Sequence, residues 1–251
     1  MIHLSRAAEP PQLPATREER LAKARLARED GRPIEFRDHD LVKPELADMQ
    51  HNKCCYCEKR EEQAKYRDVE HYRPKSTYWW LAWTWENLLF SCIDCNREHK
   101  RDQFPLLPDD QALLAEQLPP GEERPLIIDP SRDDPMPHIE FRRETVQKIE
   151  RWRPYGLTDR GRTTIQACGL DRPGLIDLYK DHVNHTVRPK LAPFLSLLAQ
   201  SEATQIVRAW STVCRGLLGA ERPFRALSHD AMKILVPQGA LERYHLTLPR
   251  P

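Results

Sequence analysis

The sequence predicts an α+β protein: a helical N-terminal arm, a small core held by paired cysteines, and a mostly helical C-terminal region. Two Cys-x-x-Cys pairs, Cys54/Cys57 and Cys92/Cys95, predict the core. From Thr158 onward, apolar residues recur at three- and four-residue steps, as they do on the buried face of helices. We expect three parts, at 1–45, 46–108 and 109–251.

Composition sets the broad class of the protein. Of 251 residues, 39% are hydrophobic and 31% are charged, as in a soluble globular protein. The chain has no apolar run long enough for a membrane helix, and its first residues lack a signal-peptide core. We therefore expect a cytoplasmic protein without a membrane partner. The net charge of +1 argues against nucleic-acid binding by bulk electrostatics alone, but does not exclude local basic patches.

The first segment predicts a proline-rich arm followed by two helices. Three prolines among the first fifteen residues disfavour helix there. Thr16 and Glu19 form a capping-box pattern, which predicts a helix from Thr16 to Gly31. A shorter helix is expected over 41–50, and Asn52 is suited to a left-handed stop before the first cysteine pair.

The two cysteine pairs have the spacing of a tetrahedral zinc site, because each pair supplies two thiolates from one turn. In a cytosolic chain, seven cysteines indicate metal binding rather than disulfides. Cys55 with Cys57 is the alternative to Cys54 with Cys57; the latter has the usual two-residue gap. A zinc ion with four thiolates has no open position for water, so any hydrolytic chemistry requires a second metal.

The 34 residues between the pairs exceed the roughly fifteen to twenty of a plain zinc ribbon, and polar residues stand within and just beyond them. Glu70 and Asn96 offer the oxygen ligands that Mg²⁺ or Mn²⁺ prefers. His71 has the pKa range to deprotonate a water, and Asn87 can fix the histidine loop by hydrogen bonds. Neighbours on a strand point to opposite faces, so Glu70 and His71 are expected to share a site only where the strand bends or bulges.

Beyond the core, the segment 106–125 predicts a short helix and a Pro/Gly-rich link. Short strands are expected at 126–128 and 138–141. Helices follow from Thr158, the first ending at Gly169, with Cys168 and Cys214 as buried packing residues.

The order of thiol pair, acid–histidine, asparagine, thiol pair and asparagine resembles the HNH (ββα-metal) endonuclease family in its zinc-carrying form. The resemblance implies a ββα-metal core in which His71 activates water and Asn87 orients His71. It also implies that Glu70 and Asn96 bind the catalytic metal. Many members carry histidine where this chain has Asn96, and His99 is the alternative residue for that role.

Longer segments, CCYCE, EHYRPK and WENLLFSCIDCN, look like the PtuB-like nuclease subunit of Septu-type anti-phage systems. This likeness implies antiviral defence together with an SMC-like ATPase subunit (PtuA-like). It implies DNA as substrate and, for some members, tRNA.

Basic residues flank the expected ligands and are predicted to bind substrate phosphates. They are Arg73, Lys75, Lys100 and Arg101. A dense aromatic run from Tyr78 to Trp85 is expected to pack in the core, with base stacking as the alternative. Ser91 before Cys92, and no His-x-Glu before the pairs, exclude a zinc deaminase. The sequence predicts a metal-dependent HNH endonuclease that hydrolyses phosphodiester bonds; the alternative is a non-catalytic zinc module that binds nucleic acid or a partner protein.

Overall fold

A computed structural model describes residues 1–199 and 202–251 and shows helices combined with two small antiparallel sheets. The helices are α1 (Gln12–Glu29), α2 (Lys43–Met49), α3 (Asp159–Cys168), α4 (Pro173–His182), α5 (Arg188–Leu197), α6 (Ala203–Leu218), α7 (Arg225–Leu235) and α8 (Gln238–Arg243). The strands are β1 (Arg67–His71), β2 (Leu88–Cys92), β3 (Ile139–Val146) and β4 (Ile149–Gly156). The predicted mixture of helix and small sheet is confirmed.

The sheet of β1 and β2 separates two hydrophobic cores. Alternation along the strands places Val69, Leu88 and Phe90 in one core, together with α1, α2 and the tryptophans. Leu89 lies in the other core, with the cysteine pairs and the C-terminal helices. Residues of both faces are therefore buried; β2 is strongly apolar, whereas β1 carries the polar residues Asp68, Glu70 and His71.

The aromatic run packs in the first core. Trp80, Trp83 and Trp85 are each at most 6% exposed. Their indole N–H groups donate to the carbonyls of Gln117, Arg37 and Ala7 respectively, so each buried donor has a partner. These rings are not available to stack on bases, and the expected core packing is confirmed for them.

A helical turn with π geometry, Asp94–Lys100, follows β2 almost directly. It carries Cys95 inward and places Asn96 and Lys100 against β1. The order strand, strand, helical turn thus brings the second cysteine pair and the polar residues into one small unit.

Several predicted helix and strand bounds are wrong. The first helix starts at Gln12 rather than Thr16, because Pro14 lies in its first turn, where a missing N–H costs little. Residues 106–125 form turns and irregular structure, without helix, and 126–128 is not a strand. The strand expected at 138–141 pairs instead with β4, which the sequence reasoning did not predict.

From Thr158 onward the described chain is mostly helical, as predicted, whereas residues 109–157 contain turns and the β3–β4 hairpin. The Thr158 side chain accepts from the Gly161 N–H and caps α3, and Gly169 ends that helix with φ of +58°. The prediction missed α7, whose buried face includes the polar residues Ser228, His229 and Asp230. Among the described helices, none is both long and apolar enough to cross a membrane.

Candidate functional site

Four cysteine sulfurs form one compact buried cluster. The Sγ atoms of Cys54, Cys57, Cys92 and Cys95 all lie within 4.8 Å of one another. The pairing predicted from the two-residue gaps is the one observed, and Cys55 is buried outside the cluster. Four sulfurs at this separation can hold a metal such as zinc in tetrahedral coordination.

One cationic side chain reaches this cluster from the C-terminal region. Arg172, at the N-terminus of α4, places its Nη1 3.5 Å from Cys95 Sγ and its Nη2 3.6 Å from the Asp94 carboxylate. Four thiolates and one Zn²⁺ together carry a net charge of −2. A guanidinium at this distance offsets part of that charge, and it links the helical region to the thiols.

A pocket of about 370 Å³ lies along the outer edge of β1. Four consecutive β1 residues, 68–71, line it, whereas none of β2 does. A wall made of consecutive residues is expected at a strand edge, where side chains of both faces can be reached. Three of the predicted polar residues, Glu70, His71 and Asn96, line this pocket.

His71 is held in one tautomer. Its Nε2 lies 3.0 Å from the Ala82 carbonyl oxygen, which can only accept, so Nε2 donates and Nδ1 is left as an acceptor. Burial, followed by nearby His39 and Lys75, holds the pKa of His71 well below its usual range. The imidazole is therefore neutral at pH 7, which is the form a general base requires.

Asn87 lies behind the pocket and ties together the segment around His71. Its Oδ1 accepts from the Arg73 N–H at 2.8 Å, and its Nδ2 donates to the carbonyls of Arg73 and Leu81 at 3.0 and 3.1 Å. Leu81 precedes the Ala82 that accepts from His71. These hydrogen bonds join the backbone of Arg73 and Leu81, and Asn87 makes none to the imidazole of His71.

Glu70 is held through one of its two carboxylate oxygens. Oε1 lies 2.6 Å from Lys100 Nζ and accepts from the Tyr56 hydroxyl at 3.0 Å. Oε2 accepts no hydrogen bond from the residues that the structure describes. Burial raises the pKa of Glu70, against the opposing effects of the Lys100 ammonium and the Tyr56 hydroxyl.

The strand that carries Glu70 and His71 is not bulged. Pairing continues in register through Glu70↔Leu89 and His71↔Leu88, so β1 has no bulge at these residues. The two side chains leave opposite faces of β1. Both line the pocket because it opens on the strand edge rather than on one face.

Asn96 is oriented by a residue that the sequence reasoning missed. Its Nδ2 donates to Asp68 Oδ2 at 2.9 Å and to the Val69 carbonyl at 3.3 Å, so its Oδ1 is directed away from them. Arg97 makes two further hydrogen bonds to Asp68, at 2.7 and 3.0 Å. Asp68 is two residues before Glu70 on the same strand face. This spacing is the signal in the sequence that could have identified Asp68.

His99 does not share the role predicted for Asn96. Three residues further along the helical turn, it points to another face and lies against Gly169. It lines a separate cavity beside β4 and α3 rather than the pocket at β1. The alternative assignment of His99 is therefore contradicted.

Two of the four predicted phosphate-binding residues are buried. Arg73 is 7% exposed in its side chain and pairs with Glu123 at 2.5 Å. Lys100 is fully buried against Glu70. Their assignment to substrate was wrong, because both cations neutralise buried carboxylates. Lys75 and Arg101 do line the pocket.

The pocket also receives a residue from the N-terminal segment. His39, in the turn before α2, has its ring centroid 4.9 Å from that of His71, in an edge-on arrangement. No local motif marks His39, so the sequence carried no signal for it.

No family model matches the chain. A Septu protein PtuB of Bacillus mycoides (strain KBAB4) is 34% identical over 163 residues, which is 57% of this chain and 55% of that protein. The chain is similar to the Septu protein PtuB. A second PtuB, from Bacillus thuringiensis, is 31% identical over 173 residues, which is 68% of this chain and 55% of that protein. The resemblance to the PtuB-like group is thus confirmed.

The chain spans about half the length of these PtuB relatives. A Septu protein PtuA of Bacillus mycoides (strain KBAB4) is also similar, at 27% identity over 139 residues. That stretch is 50% of this chain but 18% of that protein.

Proposed function

We propose that the protein is a divalent-metal-dependent endonuclease of the HNH type that hydrolyses phosphodiester bonds, and that it acts in Septu-type antiviral defence. The observation that carries this proposal is the neutral His71, with Nδ1 free, in one open pocket with Glu70 and Asn96. The order of β1, β2 and the helical turn agrees with a ββα-metal unit.

The residues at the pocket fit a hard divalent cation with few protein ligands. Glu70 Oε2 and the Asn96 side-chain oxygen are the two donors that we assign to Mg²⁺ or Mn²⁺. In 1–199 and 202–251, the thiol cluster is the only group of three or more closely spaced His, Cys, Asp or Glu ligands. Two protein oxygens supplemented by water is a coordination that Mg²⁺ commonly accepts, and the pocket has room for waters. When bound, the ion supplies positive charge at the scissile phosphate.

The chain's own residues supply the remaining functions. His71 Nδ1 accepts a proton from the attacking water, while the Ala82 carbonyl keeps the other ring nitrogen protonated. Asn87 holds the neighbouring Leu81 carbonyl and the Arg73 backbone, which keeps the histidine segment in place. Lys75 and Arg101, at the pocket wall, bind neighbouring phosphates.

We assign a structural zinc to the thiol cluster. Cys54 and Cys57 come from the turn before β1, and Cys92 and Cys95 come from the end of β2 and the helical turn. A closed four-thiolate zinc ties these segments together and leaves no position for substrate.

Antiviral defence and the partner are inferred from the relatives. Proteins named PtuB and PtuA both match this chain. We infer a PtuA-like ATPase as partner and nucleic acid, DNA or tRNA, as substrate. The near-zero net charge agrees with a nuclease that gains part of its nucleic-acid affinity from another subunit.

The test compares His71→Ala with the wild type on supercoiled plasmid and on tRNA, with Mg²⁺, Mn²⁺ or EDTA. We expect cleavage with metal in the wild type and a loss of about 10²- to 10⁴-fold in the variant. Zinc content should stay unchanged and the variant should remain folded. The matched control is His185→Ala, an exposed histidine outside the pocket.

Undiminished cleavage by His71→Ala would refute the mechanism. Nucleic-acid binding by the wild type without cleavage in either metal, with and without the ATPase, would favour the non-catalytic zinc module instead.

A further inference from the structure

The pocket at β1 continues into a second cavity. This cavity, of about 450 Å³, shares His39, Asp68, Val69 and Arg97 with the pocket that holds His71. Residues 36–40 of the N-terminal segment form its other wall. Together the two cavities make one groove, which runs from the N-terminal segment to the candidate general base.

His39 stands at the junction of these two cavities. Its Nδ1 is fully buried and has no hydrogen-bond partner among the described residues. Because nothing there accepts from Nδ1, a neutral imidazole carries its proton on Nε2. Nε2 is not among the enclosed unpartnered atoms, and His39 lines both cavities, so we infer that this N–H is available to the groove.

The turn that presents His39 is anchored on both sides. Asp38, directly before it, adopts φ of +64° and pairs with Arg20 of α1. The Arg37 carbonyl accepts from the Trp83 indole at 2.7 Å. Val42, at the end of the turn, is fully buried. The imidazole is therefore held in place by packing, which favours a defined role.

Two lysines near His39 can attract a phosphate: Lys75 lines the pocket, and Lys43 lines the second cavity. The carboxylates of Asp40 and Asp102 also line these cavities, and Arg97 is paired with Asp68. The neighbouring Asp68 is already neutralised by Arg97 and hydrogen-bonded by Asn96. Burial, with Lys75 next, lowers the pKa of His39 to about 4, so that the ring is a neutral donor at pH 7.

We propose that His39 Nε2–H donates a hydrogen bond to a non-bridging phosphate oxygen of nucleic acid in this groove, next to the phosphate that is cleaved. The inference rests on the proposed nuclease function. It assigns the N-terminal segment a direct part in substrate binding.

The test uses the full chain in a His71→Ala background, so that oligonucleotides stay intact. Binding of fluorescein-labelled single-stranded DNA, and of RNA of the same sequence, is measured for the protein that keeps His39 and for the variants His39→Ala and His39→Gln. Glutamine can place an amide N–H near the position of Nε2, whereas alanine cannot. We expect His39→Ala to weaken binding roughly tenfold or more, as for a hydrogen bond to a charged group, and His39→Gln to restore most of it.

A second measurement distinguishes a direct contact between His39 and a phosphate from an indirect effect of the substitution on the structure. Single phosphates are replaced one at a time by uncharged methylphosphonates. In the protein that keeps His39, a methylphosphonate at one position should weaken binding clearly more than a methylphosphonate at the neighbouring positions. In His39→Ala, the substitution at that position should weaken binding no more than the others do. Melting temperature and Mn²⁺ affinity should be the same for both proteins. The control variant His185→Ala should bind the oligonucleotides as the protein that keeps His39 does.

Equal binding by His39 and His39→Ala, or an unchanged methylphosphonate pattern, would overturn this proposal. It would leave the nuclease proposal standing as long as His71→Ala abolishes cleavage in the parent protein. Cleavage retained in His71→Ala would instead refute the nuclease mechanism, independently of the binding data.

Discussion

The buried ion pair between Lys100 and Glu70 is expected to be a major source of stability beside the candidate site. Lys100 Nζ lies 2.6 Å from Glu70 Oε1 and donates to the His71 carbonyl at 3.1 Å. Their side chains are 0% and 1% exposed respectively. Lys100→Met keeps most of the apolar stem and removes the charge, so a buried carboxylate is left with the Tyr56 hydroxyl as its remaining partner.

The magnitude follows from the geometry. At 2.6 Å and an effective dielectric of about 20, the attraction is about 6 kcal/mol before the cost of desolvating both groups. Breaking such a pair from one side typically costs 3–5 kcal/mol, because the other charge stays buried. We expect a loss in that range for Lys100→Met. The double variant with Glu70→Gln removes both charges and should lose clearly less than the sum of the single variants.

The assay is urea denaturation of the four proteins of this cycle at pH 7 with zinc saturating, so that metal loss does not contribute. Lys190→Met, at an exposed position on α5, is the matched control and should change the unfolding free energy by less than about 0.5 kcal/mol. A loss below about 1 kcal/mol for Lys100→Met, or strict additivity in the cycle, would refute the ion pair as a stabilising contact.

Two further predictions concern the helical region. Arg172→Gln should release zinc to a chelator about tenfold faster, because the guanidinium beside Cys95 offsets thiolate charge; exposed Arg208→Gln is the control, and equal release rates would contradict the role. Burial lowers the pKa of His182 to about 4, below the 6.5 of an unfolded histidine, so the folded protein holds this imidazole neutral. The contribution of the neutral imidazole to stability is complete above pH 6.5 and is lost as the pH falls toward 4. Between pH 6 and 5, the wild-type unfolding free energy should therefore fall by about 1.2 kcal/mol more than that of His182→Leu. An equal pH dependence of the two unfolding free energies, measured by urea denaturation, would show that the histidine is not held neutral.

Much of the local structure could be predicted because its signals are short. The two-residue gaps selected Cys54 over Cys55, and Thr158 and Gly169 marked the ends of α3. Each of these features depends on backbone geometry within one turn, which neighbouring residues set by themselves.

The errors arose where a side chain's partner is distant in sequence. Arg73 and Lys100 looked like phosphate ligands, but their carboxylate partners Glu123 and Glu70 lie 50 and 30 residues away. Charge alone does not reveal whether a cation faces solvent or a buried acid. The same limit hid His39, which meets His71 only after α1 and α2 pack against the tryptophans.

The sequence by itself determined the ligand spacing, the predominantly helical C-terminal region and the set of polar residues that makes a nuclease the best proposal. Only the tertiary structure decided which oxygen of Glu70 is free, which nitrogen of His71 can act as a base, and which basic residues reach the groove. These properties depend on hydrogen bonds between segments far apart in the chain, such as Arg172 with Cys95 across 77 residues. Short-range spacing carries no information about such contacts, because packing of the whole chain creates them.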